Sequence, residues 1–215
     1  MSVFVFLFGL AVGSFINVLI FRYHTGESIV RARSRCFHCG KELSWPELIP
    51  VLSFLYLKGR CRTCGSKISW QYPGVELLSG LLFLLVFWRW QTLAAGAGPL
   101  LLVLWFLVIS LLLASAFYDL KHKVLPDAFS YILIAAALSE KMIFSVFNFN
   151  DFLLSAVPAF ILGLLWLVSR GRWMGLGDAK LWRGGGIFLG FPGSALAFLF
   201  SFWFGAAAAI FLLLT

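Results

Sequence analysis

Residues 151–170 read DFLLSAVPAFILGLLWLVSR. Between the aspartate and the arginine lie 18 uncharged residues, close to the roughly 20 that a helix needs to cross the hydrocarbon core of a bilayer. Pro158 and Gly163 are tolerated in a membrane helix, so the stretch is expected to form a single one. Just beyond it comes RWMGLGDAKLW, residues 172–182, and then more apolar sequence. Further apolar runs lie near 2–22, 73–91, 99–118, 127–146, 179–191 and 194–215. The expected fold is an all-α polytopic membrane protein with about seven transmembrane or half-membrane helices. The run 179–191 is short and glycine-rich (RGGGIFLG), which predicts a half-helix or a closely packed one.

Composition agrees. Of the 215 residues, 61% are hydrophobic and 12% charged, too apolar for a soluble domain. Residues 2–21 have no basic segment before them and no small-residue cleavage pattern after them, so they are expected to stay as a permanent first helix rather than a signal peptide. The net charge is +8, and 15 of the 17 basic residues fall in alternate connections. By the positive-inside rule those connections face the cytoplasm and the N-terminus lies outside. Most of these charges are read as setting orientation and meeting membrane lipids. No nucleic-acid partner is expected.

The polar segment 23–72 separates the first helix from a helical membrane domain over 73–215. It contains RCFHCGKELSW and GRCRTCGSKISW. Cys36-x2-Cys39 and Cys61-x2-Cys64 are 21 residues apart, one more than the usual window for a paired-knuckle zinc site. The motif Cys-x2-Cys-Gly-x-x-(Leu or Ile)-Ser-Trp occurs at 36–45 and again at 61–70. Each knuckle brings two thiolates together, and the following glycine permits the turn. Two disulfides are disfavoured by a cytoplasmic location, which leaves reduced or redox-active thiols as the alternative to zinc. With four thiolates the metal site is closed, so zinc would be structural and His38 should be exposed. The apolar stretch PELIPVLSFLYLKGR between the knuckles is too short to span and is expected at the membrane surface.

Two acidic sites remain. In FYDLKHKVLPDAF, residues 117–129, Asp119 ends an apolar run, where the helix dipole disfavours an anion. An ion pair with Lys121, Lys123 or Lys180 is the plain explanation for it. Asp127 follows Pro126 and reads as a helix start. Asp178 follows Gly175 and Gly177, which let the backbone approach closely or unwind so that the carboxylate points into a cavity. Lys180 follows at the same site. Intramembrane acids are expensive and point to function. Two carboxylates at close range cannot both ionise easily. One then holds a proton while the other activates water, the chemistry of aspartic peptidases.

These residues carry a family resemblance. GLAVGSFINVLIFR at 9–22, the twin-cysteine loop ending ISWQYPGVELLSG, YDLKHKVLPD and GLGDAKLWRGGGIFLG together resemble bacterial type IV prepilin peptidases, over nearly the whole chain and in order. The resemblance implies that Asp119 and Asp178 form the catalytic dyad of an aspartic endopeptidase in the bacterial inner membrane, its site facing the cytoplasm. Its substrates would be type IV prepilin or pseudopilin precursors with a short basic leader. It also implies methylation of the new N-terminus from S-adenosylmethionine, which the cysteine loop favours. No methyltransferase fingerprint locates the donor site. Gly59, Arg60 and Glu76 are the candidates: a flexible glycine, a cation beside the second knuckle, and an acid just inside a membrane helix. Trp182 and Arg183 depart from the small or aliphatic residues usual there, and a further C-terminal helix of the family is expected to be lacking. The alternatives from other classes are a proton-coupled transporter and a zinc-stabilised scaffold of a secretion complex. Oligomeric state is left open.

Overall fold

The computed structural model of the protein describes residues 1–93, 95–144 and 148–214. Among them the regular structure is helical, apart from two isolated antiparallel bridges, Arg35–Glu42 and Arg60–Lys67. Four stretches are long and apolar enough to cross a membrane: Ser2–Arg22, Gln71–Leu93, Pro99–His122 and Phe149–Ser169. Large apolar side chains such as Phe4, Leu85, Phe160 and Trp203 face outward, as lipid-facing positions do and water-facing ones seldom do. The chain divides into two compact units, Met1–Lys121 and His122–Thr215.

In the first unit α1 (Ser2–Arg22) lies against α3 (Gln71–Leu93), with the short α2 (Leu52–Tyr56) in the polar loop and α4 (Pro99–His122) following. The α1–α3 contact is close because of glycines. A Cβ on Gly9 would sit 2.8 Å from the Gly80 Cα, and one on Gly13 would sit 2.7 Å from the Glu76 Cα. Gly9 and Gly13 form the Gly-x-x-x-Gly spacing that lets membrane helices approach backbone to backbone. Ile16, Ile20, Val75 and Phe83 fill the seam. The Phe83 ring stacks on Phe106 of α4 at 4.3 Å.

The second unit contains α5 (Asp127–Phe144), α6 (Phe149–Leu154), α7 (Val157–Ser169), α8 (Leu176–Leu189) and α9 (Gly193–Leu214). The expected helix over 127–146 ends at Phe144, and its last two positions lie outside the described residues. The single helix expected over 151–170 is corrected: it breaks at Ser155–Ala156. Pro158 lies in the first turn of α7, with no N–H to give and a ring that would clash one turn back. The break is used in packing, because the Ser155 carbonyl lies where a Cβ on Gly186 would go. Gly184 likewise meets Leu133 of α5. The short helix α8 is therefore closely packed between α5 and α7, as RGGGIFLG suggested.

Candidate functional site: a four-thiol loop and two acidic segments

Arg22, at the end of α1, starts the polar loop by folding it back. Its guanidinium donates to the carbonyls of Ala32 at 2.7 Å and Arg33 at 2.9 Å. Glu27 pairs with Arg22 and Arg35. The two knuckles then fold identically. The Cys36 amide donates to the Lys41 carbonyl (2.9 Å) and the Gly40 amide to the Cys36 carbonyl (2.9 Å). In the second knuckle, Cys61 to Ser66 (2.8 Å) and Gly65 to Cys61 (2.9 Å) repeat the pattern. Gly40 and Gly65 have φ of 72° and 70°, a left-handed conformation that glycine adopts at no steric cost.

All four sulfurs lie within 4.8 Å of one another, and Cys36 Sγ is 3.8 Å from Cys64 Sγ. A tetrahedral metal with bonds of about 2.3 Å to sulfur holds its ligands about 3.8 Å apart, so the cluster fits such an ion. The cysteines are not paired as disulfides. Amides of Cys39 and His38, with the Ser66 hydroxyl, lower the Cys36 thiol to about 6. The Ser66 hydroxyl and amide also lower Cys64. At Cys39 the Lys41 amide alone would lower the thiol, but desolvation and the neighbouring Cys64 and Cys36 thiols outweigh it and raise it to about 11. His38 is exposed, as expected.

Between the knuckles a 3-10 turn runs over Trp45–Leu48. Ser44 and Glu47 form a capping box: the Ser44 amide and hydroxyl both donate to Glu47 Oε2 at 2.8 Å. Those two donors, with Lys41 beyond them, hold the buried Glu47 carboxyl down to about 2. The Ser-x-x-Glu spacing at 44–47 is the sequence signal for this anchor. Leu48, Ile49, Leu52 and Leu55 expose their side chains, as a segment resting on a membrane surface would.

The methyl-donor candidates all lie in the first unit. Gly59 has φ of 67°, and a Cβ there would sit 3.0 Å from the Phe54 ring. Arg60 bridges to Lys67. Glu76 is buried on α3 and accepts the Val51 amide at 2.8 Å.

Asp119 is half-buried in the last turn of α4, which runs on to His122, past the predicted end. Two of the three lysines considered as its partners are engaged elsewhere. Lys121 Nζ lies 3.0 Å above the Phe21 ring, and Lys180 Nζ donates to Asp127 Oδ1 at 2.8 Å. Asp178, in the second unit, is half-buried in the first turn of α8, which Gly175 caps. Arg183 reaches the Phe152 carbonyl at 3.3 Å and lies over its ring, while Trp182 meets Phe198 edge-on.

The two glycines before Asp178 differ. A Cβ on Gly177 would lie 2.9 Å from Leu125 Cβ, whereas one on Gly175, at φ of −78°, would meet only the Gly177 nitrogen at an ordinary 3.8 Å. Gly177→Ala is expected to cost about 1–3 kcal/mol through overpacking and to lower cleavage. Gly175→Ala should lose only a weak helix cap. Thermal unfolding in detergent, measured beside activity, checks this. Equal tolerance of both substitutions would mean that the close approach to Leu125 is not needed.

Among the described residues, then, the chain is helical, with four stretches able to cross a membrane and a polar loop that gathers four thiols. Residues 7–90 match the bacterial peptidase A24 N-terminal domain, and residues 105–210 match the type IV leader peptidase family. The chain belongs to the type IV leader peptidase family. A prepilin leader peptidase/N-methyltransferase of Myxococcus xanthus (strain DK1622) is 37% identical over 99% of this chain and 63% of its own length. One from Aeromonas hydrophila is 34% identical over 98% of this chain and 80% of its own. One from Bacillus subtilis (strain 168) is 33% identical over 95% and 82%. The chain thus spans somewhat under two thirds of the first relative and about four fifths of the other two. No solved structure matches it.

Proposed function

We propose that the protein is a membrane aspartic endopeptidase that removes the short basic leader of type IV prepilin-like precursors and methylates the new N-terminus. Asp119 and Asp178 are its catalytic pair. One carboxylate takes a proton from water as the water oxygen attacks the scissile carbonyl. The protonated partner gives its proton to the carbonyl oxygen, and the carboxyl that took the water proton passes it to the amide nitrogen as the adduct collapses and the C–N bond breaks. Gly175, Gly177 and Lys180 support Asp178, the last of them through Asp127.

The observation that carries this reading lies within the second unit. Leu125 packs at Gly177 and Asp127 pairs with Lys180, so the segment that continues from Asp119 is fastened to the segment that carries Asp178. The relatives' names point the same way. A transporter or scaffold finds no support among them.

The rest of the proposal follows the sequence reading. About seven helices cross or enter the bacterial inner membrane in contact with lipid, with the N-terminus outside and the 23–72 loop in the cytoplasm. Cys36, Cys39, Cys61 and Cys64 hold a structural zinc ion. S-adenosylmethionine, when bound, would supply an electrophilic methyl group for the product amine, with Gly59, Arg60 and Glu76 the candidate residues for its site.

The test is to incubate purified protein with a pilin-type precursor and S-adenosylmethionine, then weigh the product. Loss of the leader with a gain of one methyl group is expected. An unchanged mass would sink the proposal, and cleavage without methylation would sink its second half alone.

A further inference from the structure

The loop between the knuckles contains a backbone conformation that its residue does not favour. Val51 has φ of 61° and ψ of −49°, and across it the Leu52 amide donates to the Pro50 carbonyl at 2.6 Å. This is the positive-φ γ-turn, rare and strained, and a β-branched side chain suits it poorly. Such strain persists only where the surroundings over-determine it.

What holds the turn comes from the membrane helices. The Val51 amide donates to Glu76 Oε2 at 2.8 Å. Glu76 is only 7% exposed and sits where Gly13 brings α1 closest to α3. Beside it, buried Asn17 donates to the Tyr72 carbonyl at 3.2 Å. A buried acid at the membrane–loop junction thus commits an oxygen to one loop amide. The turn in turn sets α2. The Leu55 amide donates to the Val51 carbonyl at 3.1 Å. Phe54 of α2 is buried against Trp70, at 4.8 Å between ring centres, and closes on Gly59, two residues before Cys61.

We propose that Glu76 is a positioning residue for the methyl-transfer loop: by accepting the Val51 amide it fixes the strained turn, and through α2 and Phe54 it places Gly59 and the second knuckle. This rests on reading the loop as the methyl-transfer region. It assigns Glu76 a role different from direct contact with the donor. An amide oxygen accepts a backbone N–H as a carboxylate does, whereas a contact with a sulfonium needs the charge.

Full-length Glu76→Ala, Glu76→Gln and Val51→Gly proteins separate these roles. Amide hydrogen exchange over residues 51–58, zinc content, cleavage and methylation are measured on each. In Glu76→Ala, exchange is expected to quicken and methylation to fall by about tenfold, the effect of losing one hydrogen bond to a charged group. Zinc content and cleavage should hold. Glu76→Gln should behave like the unmodified protein. Adding Val51→Gly to Glu76→Ala should restore part of the loss, because glycine holds a positive φ without strain. The proposal is overturned if Glu76→Ala exchanges and methylates normally. It is also overturned if Glu76→Gln stays protected yet loses methylation with a raised KM for S-adenosylmethionine, which would make Glu76 a donor contact. An unmodified protein that cleaves but transfers no methyl group defeats the reading of the loop instead, and exchange still decides whether Glu76 holds the turn.

Discussion

Asp178→Asn and Asp119→Asn are each expected to lower precursor cleavage by roughly 10³-fold or more in a protein that stays folded, because members of a catalytic pair act as a unit and their losses do not add. Asparagine keeps the shape of the side chain but can neither accept the proton from water nor hold the one the partner needs. Asp127→Asn is the control. Its carboxylate lies in the first turn of α5, is more than half exposed, and meets Lys180 at 2.8 Å. Exposed pairs of that kind are worth about 0–1 kcal/mol, and an amide still serves a helix start. Its loss should therefore cost a few-fold at most. The decisive measurement is cleavage of a prepilin by the three variants in detergent, with folding checked by thermal unfolding. A dead Asp127→Asn beside an active, folded Asp119→Asn would move the assignment eight residues along the chain. Full activity in Asp178→Asn would end the aspartic mechanism for this protein.

Much of this was legible in the sequence because the signals were local and periodic. The apolar runs placed α1, α3, α4, α5, α8 and α9 within a few residues, and the doubled Cys-x2-Cys-Gly motif anticipated two knuckles with the same hydrogen bonds. The errors have physical causes. Hydropathy ran straight through Ser155–Ala156 because an apolar tally is blind to the missing N–H of Pro158 and to the packing of Gly186 on the freed carbonyl. Gly9 and Gly13 carry their helix contact in a four-residue spacing that hydropathy, which counts only apolar residues, does not register. The Val51 turn left no trace in composition. It depends on Pro50 and on an acid 25 residues away, and no window along the chain connects the two. Lys180 was read beside Asp178, but the partner it takes, Asp127, is set by how α8 crosses the start of α5.

Cys36→Ser is the second large effect expected, and its pattern matters more than its size. The serine keeps the knuckle's backbone bonds, since the residue 36 amide still reaches the Lys41 carbonyl. What goes is one thiolate of four, and a hard hydroxyl is a poor replacement for a soft sulfur on zinc. Zinc should fall from about one per chain, as a four-thiolate site binds, to little or none. The free energy of such a site is largely folding free energy, so the 23–70 segment should become open to proteases and methylation should be lost. Cleavage should survive, because Asp119 and Asp178 lie outside the loop, though not untouched. Phe37, next to Cys36, packs on Phe21 at 5.3 Å between ring centres. Phe21 also stacks on Tyr72 at 5.1 Å and carries Lys121, two residues beyond Asp119. A knuckle that comes loose therefore relaxes the platform beside Asp119, and a several-fold drop in cleavage is expected where the aspartate variants lose orders of magnitude. Metal content, limited proteolysis and both activities, measured on one preparation, test this. If chelation stopped cleavage at once while the fold persisted, the metal would belong to the peptidase chemistry, and the division between a structural loop and a carboxylate pair would be wrong.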